Sequence, residues 1–190
     1  MENALFIKSM KRLSKSLVII DVGGGDLWQK NLSSRKNLFI KSQCYSVDRS
    51  PASNPSVRAD IHRLPFKNGC CNGVICKAVL EHSKKPWIVV EEIYRILKFG
   101  GKAYFWVPFI YPYHPNKNYG DYFRFTISGI KELLSGFKDI EISSSLGYFS
   151  TVAGLLPGIL PKFFWPATKF LDQKIPISGQ CAGWHVLVTK

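Results

Sequence analysis

Apolar positions along the chain fall into short continuous runs closed by turn residues, separated by longer amphipathic stretches. Residues 17–20 form such a run and lead into Asp21-Val22-Gly23-Gly24-Gly25. A short apolar run bounded by glycines fits a parallel strand buried on both faces. Residues 44–47, ending at Asp48, read as a second strand. Residues 56–59, ending at Asp60, read as a third, and residues 73–76 as a fourth. Residues 26–36 predict a short helix with Asp26 as its N-cap. The clearest helix starts at Pro86, a residue suited to a first turn. Val89, Ile93 and Ile96 line one face with Val90 and Leu97 beside them, while Glu91, Glu92, Arg95 and Lys98 lie opposite as a solvated face. Gly100-Gly101 is expected to stop this helix. Residues 102–107 predict a further strand, and Thr126 caps a helix reaching about residue 134. Residues 137–143 and 184–189 read as the last two strands. Strands alternating with helices predict a parallel α/β sheet with crossovers. Ligands of such sheets bind beyond the carboxyl ends of the strands, at the topological switch point. Asp21 to Gly25, Asp48, Asp60, His82 and Pro108 all fall at such ends.

Composition narrows the classes. The chain has 190 residues, 46% apolar and 21% charged, so a disordered chain is excluded and one domain is expected, residues 1–190. Lys and Arg number 26 against 13 Asp and Glu, a net charge of +13. That balance favours an anionic partner, whether nucleic acid, a membrane surface or a phosphorylated substrate. The five cysteines are odd in number and form no Cys-x-x-Cys pair. Neither a zinc site nor a disulfide framework is expected, and no metal is assigned. Cys76 and Cys181 read as small core residues. A reducing, cytoplasmic setting follows, with a peripheral contact at the inner face of the membrane as an option. The apolar run at 17–20 is too short for a signal segment. The uncharged stretch 142–161 is broken by three glycines and two prolines, which argues against a spanning helix.

Chemistry enters at the strand ends. Strand, Gly23-Gly24-Gly25 and helix make a loop in which glycine permits positive φ and close approach of a ligand to the backbone. Asp48 ends the next strand, where an acid can accept from both ribose hydroxyls. Asp60 ends the third, where a carboxylate can accept from an adenine amino group. Three acids around one glycine loop suit a cationic adenosine ligand better than a dinucleotide. Asp21 has a plainer alternative, holding the loop from within.

Four segments carry a family resemblance. Val18-Ile-Ile-Asp-Val-Gly-Gly-Gly25 resembles motif I of class I S-adenosylmethionine-dependent methyltransferases. Ala59-Asp-Ile-His-Arg-Leu-Pro-Phe66, Val79-Leu-Glu-His82 and Glu91-Glu-Ile-Tyr-Arg-Ile-Leu-Lys-Phe-Gly-Gly101 resemble later segments of the same family in order and spacing. The subfamily is the small-molecule type called methyltransferase domain 11. The resemblance implies a Rossmann-like, doubly wound, three-layer αβα fold with seven mostly parallel strands and an antiparallel last strand. It implies S-adenosylmethionine as cofactor. Asp21, Gly23 and Gly25 would shape the methionine pocket, Asp48 would bind the ribose, and Asp60 with Ile61 would meet the adenine. Lys77 and Ala78 would lie near the methionine moiety, with Glu81 and His82 on the cofactor-facing loop. His82 more often shapes this loop than acts as a base. Two positions depart from the pattern: Leu27 replaces the third glycine of motif I, so the first helical turn must differ, and Phe99 replaces a proline.

Residues 104–125 concentrate the aromatics, running from Tyr104 through Tyr113-His114 to Asp121-Tyr-Phe-Arg-Phe125. The segment leaves a strand and loops over the ligand edge, where an acceptor would sit. His114-Pro115 with Asp121 to Thr126 resembles a motif of methyltransferase-like proteins found with cell-surface polysaccharide enzymes. A hydroxyl acceptor needs a base, and His114 or Asp121 could serve. Tyr122 or Arg124 could orient an acidic acceptor. Alternatively, Asp121 and Arg124 staple the loop to itself. The apolar insertion at 147–171 reads as a lid or helix pair, a dimer contact, or a membrane-interface element. The leading expectation is methyl transfer to a small-molecule or glycan-type acceptor, anionic or lipid-linked. An RNA methyltransferase and a degenerate methyltransferase fold acting as a binding protein stand as alternatives.

Overall fold

The computed structural model of the protein describes residues 3–30, 32–156 and 160–190. Its elements in chain order are helix α1 (Ala4–Leu13), strands β1 (Val18–Val22), β2 (Gln43–Asp48), β3 (Val57–Arg58) and β4 (Cys71–Lys77), and helix α2 (Pro86–Ile96). Then come β5 (Leu97–Pro108), α3 (Ile127–Leu133), β6 (Lys138–Ser144), α4 (Tyr148–Gly154), α5 (Leu160–Lys174) and β7 (Gly183–Thr189). One seven-stranded sheet has the order β3-β2-β1-β4-β5-β7-β6. Only β7 runs against its neighbours, pairing antiparallel with both β5 and β6. The expected sheet is therefore present, antiparallel strand included.

The period of two along each strand sends alternate side chains to opposite faces. Ala103, Phe105 and Val107 of β5 join Trp184, Val186 and Val188 of β7 on one face, covered by Val89, Val90, Ile93 and Ile96 of α2 and Ile130 of α3. Tyr104 and Leu187, one residue out of phase, face the other way with Leu5, Phe6, Met10 and Leu13 of α1. Those α1 positions recur at helical spacing, so the basic N-terminal segment lays one apolar stripe on the sheet. Helical layers thus cover both faces.

Three local expectations are corrected. Residues 26–36 do not form an α-helix; turns lead into a 3-10 helix at Ser33–Phe39. Trp28 and Lys30 have φ of +72° and +53°, which interrupts any right-handed helix there. Asp26 caps nothing and instead accepts the Asn54 N–H at 2.5 Å. Gly100-Gly101 does not stop α2, which ends at Ile96 and passes directly into β5. Gly100 sits at φ +75° inside that strand, and a Cβ on Gly101 would meet the Lys98 carbonyl at 2.8 Å. Glu92 is not simply solvated: it accepts from the Leu64 N–H at 2.7 Å and from Arg95 at 2.7 Å. Arg95 in turn donates to the carbonyls of Phe66 and Leu64. The polar face of α2 thereby holds the Leu-Pro-Phe loop beside the strand ends.

Of the insertion 147–171, residues 157–159 lie outside the described residues. The remainder contains two helices, α4 and α5, joined where Asp172 accepts the Phe149 and Ser150 N–H groups. Among the described residues no helix is long and apolar enough to cross a membrane.

Candidate active site

The chain runs outward from β1 through β2 to β3, then returns to start β4 on the other side of β1. The order reverses between β1 and β4, and a cleft of about 290 Å³ opens at the carboxyl ends of these strands. Gly23, Gly24 and Gly25 form one wall. Asp48, Asp60 and Ile61 form another, Ala78, Val79 and His82 a third, and Asn116 and Tyr119 of the aromatic loop complete it.

Gly23 and Gly25 have φ of +68° and +66°, so both need glycine. A Cβ on Gly23 would also strike the Val79 methyls at 2.6 Å. One Asp48 oxygen accepts the Gly25 N–H at 3.0 Å and the other the Ser50 N–H at 2.7 Å. These bonds fix the carboxylate at the lip of β2 while it still faces the cleft. Asp60 accepts from the His62 backbone at 2.9 Å and lies 2.7 Å from His62 Nδ1. Burial pulls its pKa upward, but the two His62 contacts outweigh that and hold it below the ordinary carboxylate range.

Asp21 and Lys77 do not line the cleft. Asp21 lies beneath the glycine loop, where a Cβ on Gly24 would fall on its carboxylate. Burial pushes its pKa up to about 7, against the pull of Lys30 and Lys77. The loop-holding alternative describes its geometry. Lys77 points to the α1 side, 5.6 Å from the Phe6 ring centroid. The ammonium that does reach the cleft belongs to Lys30, for which the sequence carried no motif. It donates to the carbonyls of Gly23, Lys77 and Ala78 at 2.7, 2.8 and 3.0 Å. Three carbonyls converging on one ammonium form a receptor for a cationic amine.

The aromatic loop closes over this edge. His82 packs against His114 and Tyr119 with ring centroids 4.9 and 4.3 Å away. Of the two expected bases, His114 stands in this cluster, a third exposed. Asp121 has no exposed side-chain surface; Arg124 grips both its oxygens at 2.6 and 2.7 Å and the His114 N–H donates at 2.9 Å. The Arg124 hydrogen bonds hold its pKa at about 2, so it stays a carboxylate that positions His114 and takes up no proton near neutrality. The staple is thus the geometry present. Glu81, expected with His82 on the cofactor-facing loop, has its side chain wholly buried beside His82, with burial raising its pKa to about 7.

Residues 7–105, just over half of the chain, match the family described as methyltransferase domain. The chain belongs to that family and is an S-adenosylmethionine-dependent methyltransferase of class I fold. A methyltransferase of the same cofactor dependence from Archaeoglobus fulgidus is 13% identical, with TM-score 0.65 over 97% of this chain and 90% of that one. One from Mesorhizobium loti is 12% identical, with TM-score 0.61 over 99% of each. Phosphoethanolamine N-methyltransferase 2 of Haemonchus contortus, solved with S-adenosyl-L-methionine, is 16% identical with TM-score 0.61, and this chain spans only 51% of it. No curated protein matches the chain.

The cleft suits that cofactor in its donor set. It presents acids where a diol and an amino group donate, a carbonyl cluster for an ammonium, and glycines where the backbone must be approached closely.

Proposed function

We propose that the chain methylates a hydroxyl of a small-molecule or glycan-type acceptor that enters beneath the aromatic loop. Asp48 accepts from the ribose hydroxyls, Asp60 and Ile61 meet the adenine, and the Gly23, Lys77 and Ala78 carbonyls take the methionyl ammonium once Lys30 swings aside. When bound, S-adenosylmethionine supplies a methyl carbon whose bond to sulfur breaks as the acceptor oxygen bonds to it, leaving a neutral thioether. The protein positions the two partners, shuts out water, and disposes of the hydroxyl proton. The observation that carries the acceptor reading is the Glu81–His82–His114 cluster beside the cleft, proton-handling groups under a roof of tyrosines. Tyr111, Tyr113, Tyr119 and Tyr122 are exposed on that loop, and flat ring faces of this kind suit the apolar faces of sugars.

A lipid-linked acceptor accounts for two further features. Leu155, Leu156, Phe170 and Ile175 are exposed in and around the α4–α5 pair, and Lys169 and Lys174 lie over the Trp165 and Phe170 rings. Apolar residues with lysines at their margin suit a peripheral contact with an anionic membrane.

Calorimetry with S-adenosylhomocysteine tests the cofactor assignment. Asp48→Ala is expected to weaken binding at least ~10-fold, since a charged hydrogen-bond acceptor contributes about 1.5–3 kcal/mol. Unchanged affinity would remove Asp48 from the site. Label transfer from S-adenosylmethionine to sugar nucleotides, lipid-linked saccharides and total RNA tests the acceptor. Label in RNA alone would replace this reading with the nucleic-acid one.

A further inference from the structure

Glu81 has a buried carboxyl group with neither oxygen hydrogen-bonded. Buried polar groups in folded chains nearly always have a partner, so an orphaned carboxylate asks for one. Its neighbours indicate what kind. His82 Nε2 lies 3.9 Å from Glu81 Oε1. His82 Nδ1 is 2.7 Å from the Gly120 carbonyl, which can only accept; Nδ1 therefore carries the proton and Nε2 keeps its lone pair. His114 repeats the arrangement. Its Nδ1 lies 2.8 Å from the Pro112 carbonyl and 3.2 Å from an Asp121 oxygen, both acceptors, which leaves its Nε2 lone pair free as well. One donor atom from each of Glu81, His82 and His114 lies within 4.8 Å of the other two. An imidazole that binds a metal typically donates its other N–H to a carbonyl or carboxylate, and both histidines do so here.

We propose that Glu81, His82 and His114 form a site for a borderline divalent transition-metal ion of the Fe²⁺ or Zn²⁺ type, which Mn²⁺ also enters with lower affinity. Two imidazoles and one carboxylate match that class, whereas Mg²⁺ and Ca²⁺ prefer oxygen ligands throughout. Ligand atoms on one such ion sit about 3.4 Å apart, so the set closes by roughly 1 Å when it binds. Three protein ligands leave at least one coordination position open, and one of the three, His82, lines the cleft. The positive charge of Arg124 nearby is neutralised by Asp121. Resting on the hydroxyl-acceptor reading, the ion would bind the acceptor oxygen and lower its pKa. The hydroxyl proton then passes to water, and the oxygen lone pair forms the bond to the methyl carbon as that carbon leaves sulfur. Metal binding itself rests on no assumption about the acceptor or the cofactor.

The test is a titration of the full chain with Mn²⁺ alone, free ion being read by electron paramagnetic resonance, repeated with Co²⁺ alone. Mn²⁺ has little affinity for the five thiols, which would confuse a zinc titration. The expected result is one site per chain, weakened at least 10-fold in His114→Gln and in Glu81→Gln, with S-adenosylhomocysteine affinity unchanged in His114→Gln. Glu81→Gln removes the charge at constant shape; should it fail to fold, His114→Gln on the exposed loop decides alone. Neither Mn²⁺ nor Co²⁺ bound by the folded wild type, or binding that both substitutions leave intact, overturns the proposal. Cofactor binding that persists while binding of both ions fails would overturn the metal site and leave the methyltransferase assignment standing.

Discussion

Gly24 sits directly over the Asp21 carboxylate, and the pair explains why this loop tolerates no side chain at its centre. Gly24→Ala is expected to destabilise the fold by about 1–3 kcal/mol through overpacking. Asp21→Ala should relieve most of that cost in the double variant, so a denaturant double-mutant cycle should show strong non-additivity. Additive effects would mean that the two do not touch. Lys30 poses a different residue-scale question. Its ammonium fills the carbonyl cluster that a methionyl ammonium needs. Lys30→Met is therefore expected to tighten S-adenosylhomocysteine several-fold by calorimetry; weaker binding would show that Lys30 helps hold the ligand. At this scale the acids Asp48 and Asp60 were legible because they close strands in sequence. Lys30 was not, nor was the orphaned state of the Glu81 carboxyl, because a convergence of carbonyls or an unpartnered buried group exists only after folding.

Between elements, α1 is fastened to the sheet by burial. Tyr104 of β5 and His185 of β7 meet under it, hydroxyl to Nδ1 at 2.6 Å, with Phe6 packed on both rings. Burial, helped by Lys77, lowers the His185 pKa to about 4. The folded state therefore keeps the imidazole neutral, while the unfolded chain takes up a proton near pH 6.5. The sign follows: stability is fully present above about pH 6.5 and is lost as pH falls toward 4, on the order of 3 kcal/mol in all. His185→Asn, which offers an acceptor near the same place, should flatten this acid limb in pH-dependent thermal melts. Beyond β6, Asp172 of α5 accepts from the first turn of α4. Asp172→Ala should lower the stability of that pair by about 1 kcal/mol, seen as faster amide exchange there. Element positions along the sheet were readable from apolar periodicity. The helix at 26–36 was misread because periodicity carries no information about left-handed residues such as Trp28 and Lys30.

For the whole molecule, the charge of +13 coexists with a cleft bordered by Asp48 and Asp60, so the excess lies mostly outside it. Lys8 and Arg12 pair with Glu141, and Arg124 with Asp121, acids already counted in that net charge. The two Glu141 pairs are exposed, so their worth is about 0–1 kcal/mol and salt-sensitive. If the excess charge and the α4–α5 face meet a membrane, the chain should float with anionic vesicles at low salt and release as ionic strength rises. Phe170→Glu should diminish flotation at every salt concentration, and absence of flotation by the wild type at low salt would rule the membrane contact out.

The sequence by itself determined the class of sheet, the order of strand and helix, and the acids at the strand ends, because period-two burial and strand-terminal chemistry are local patterns. It also carried four motif segments in order, enough to place the family. The tertiary structure decided what those residues face. It turned Asp21 inward under Gly24 and committed Asp121 to Arg124. It filled an ammonium receptor with Lys30 and gathered Glu81, His82 and His114 from two loops 32 residues apart. Those are matters of side-chain direction and long-range packing, and no spacing along a chain encodes them.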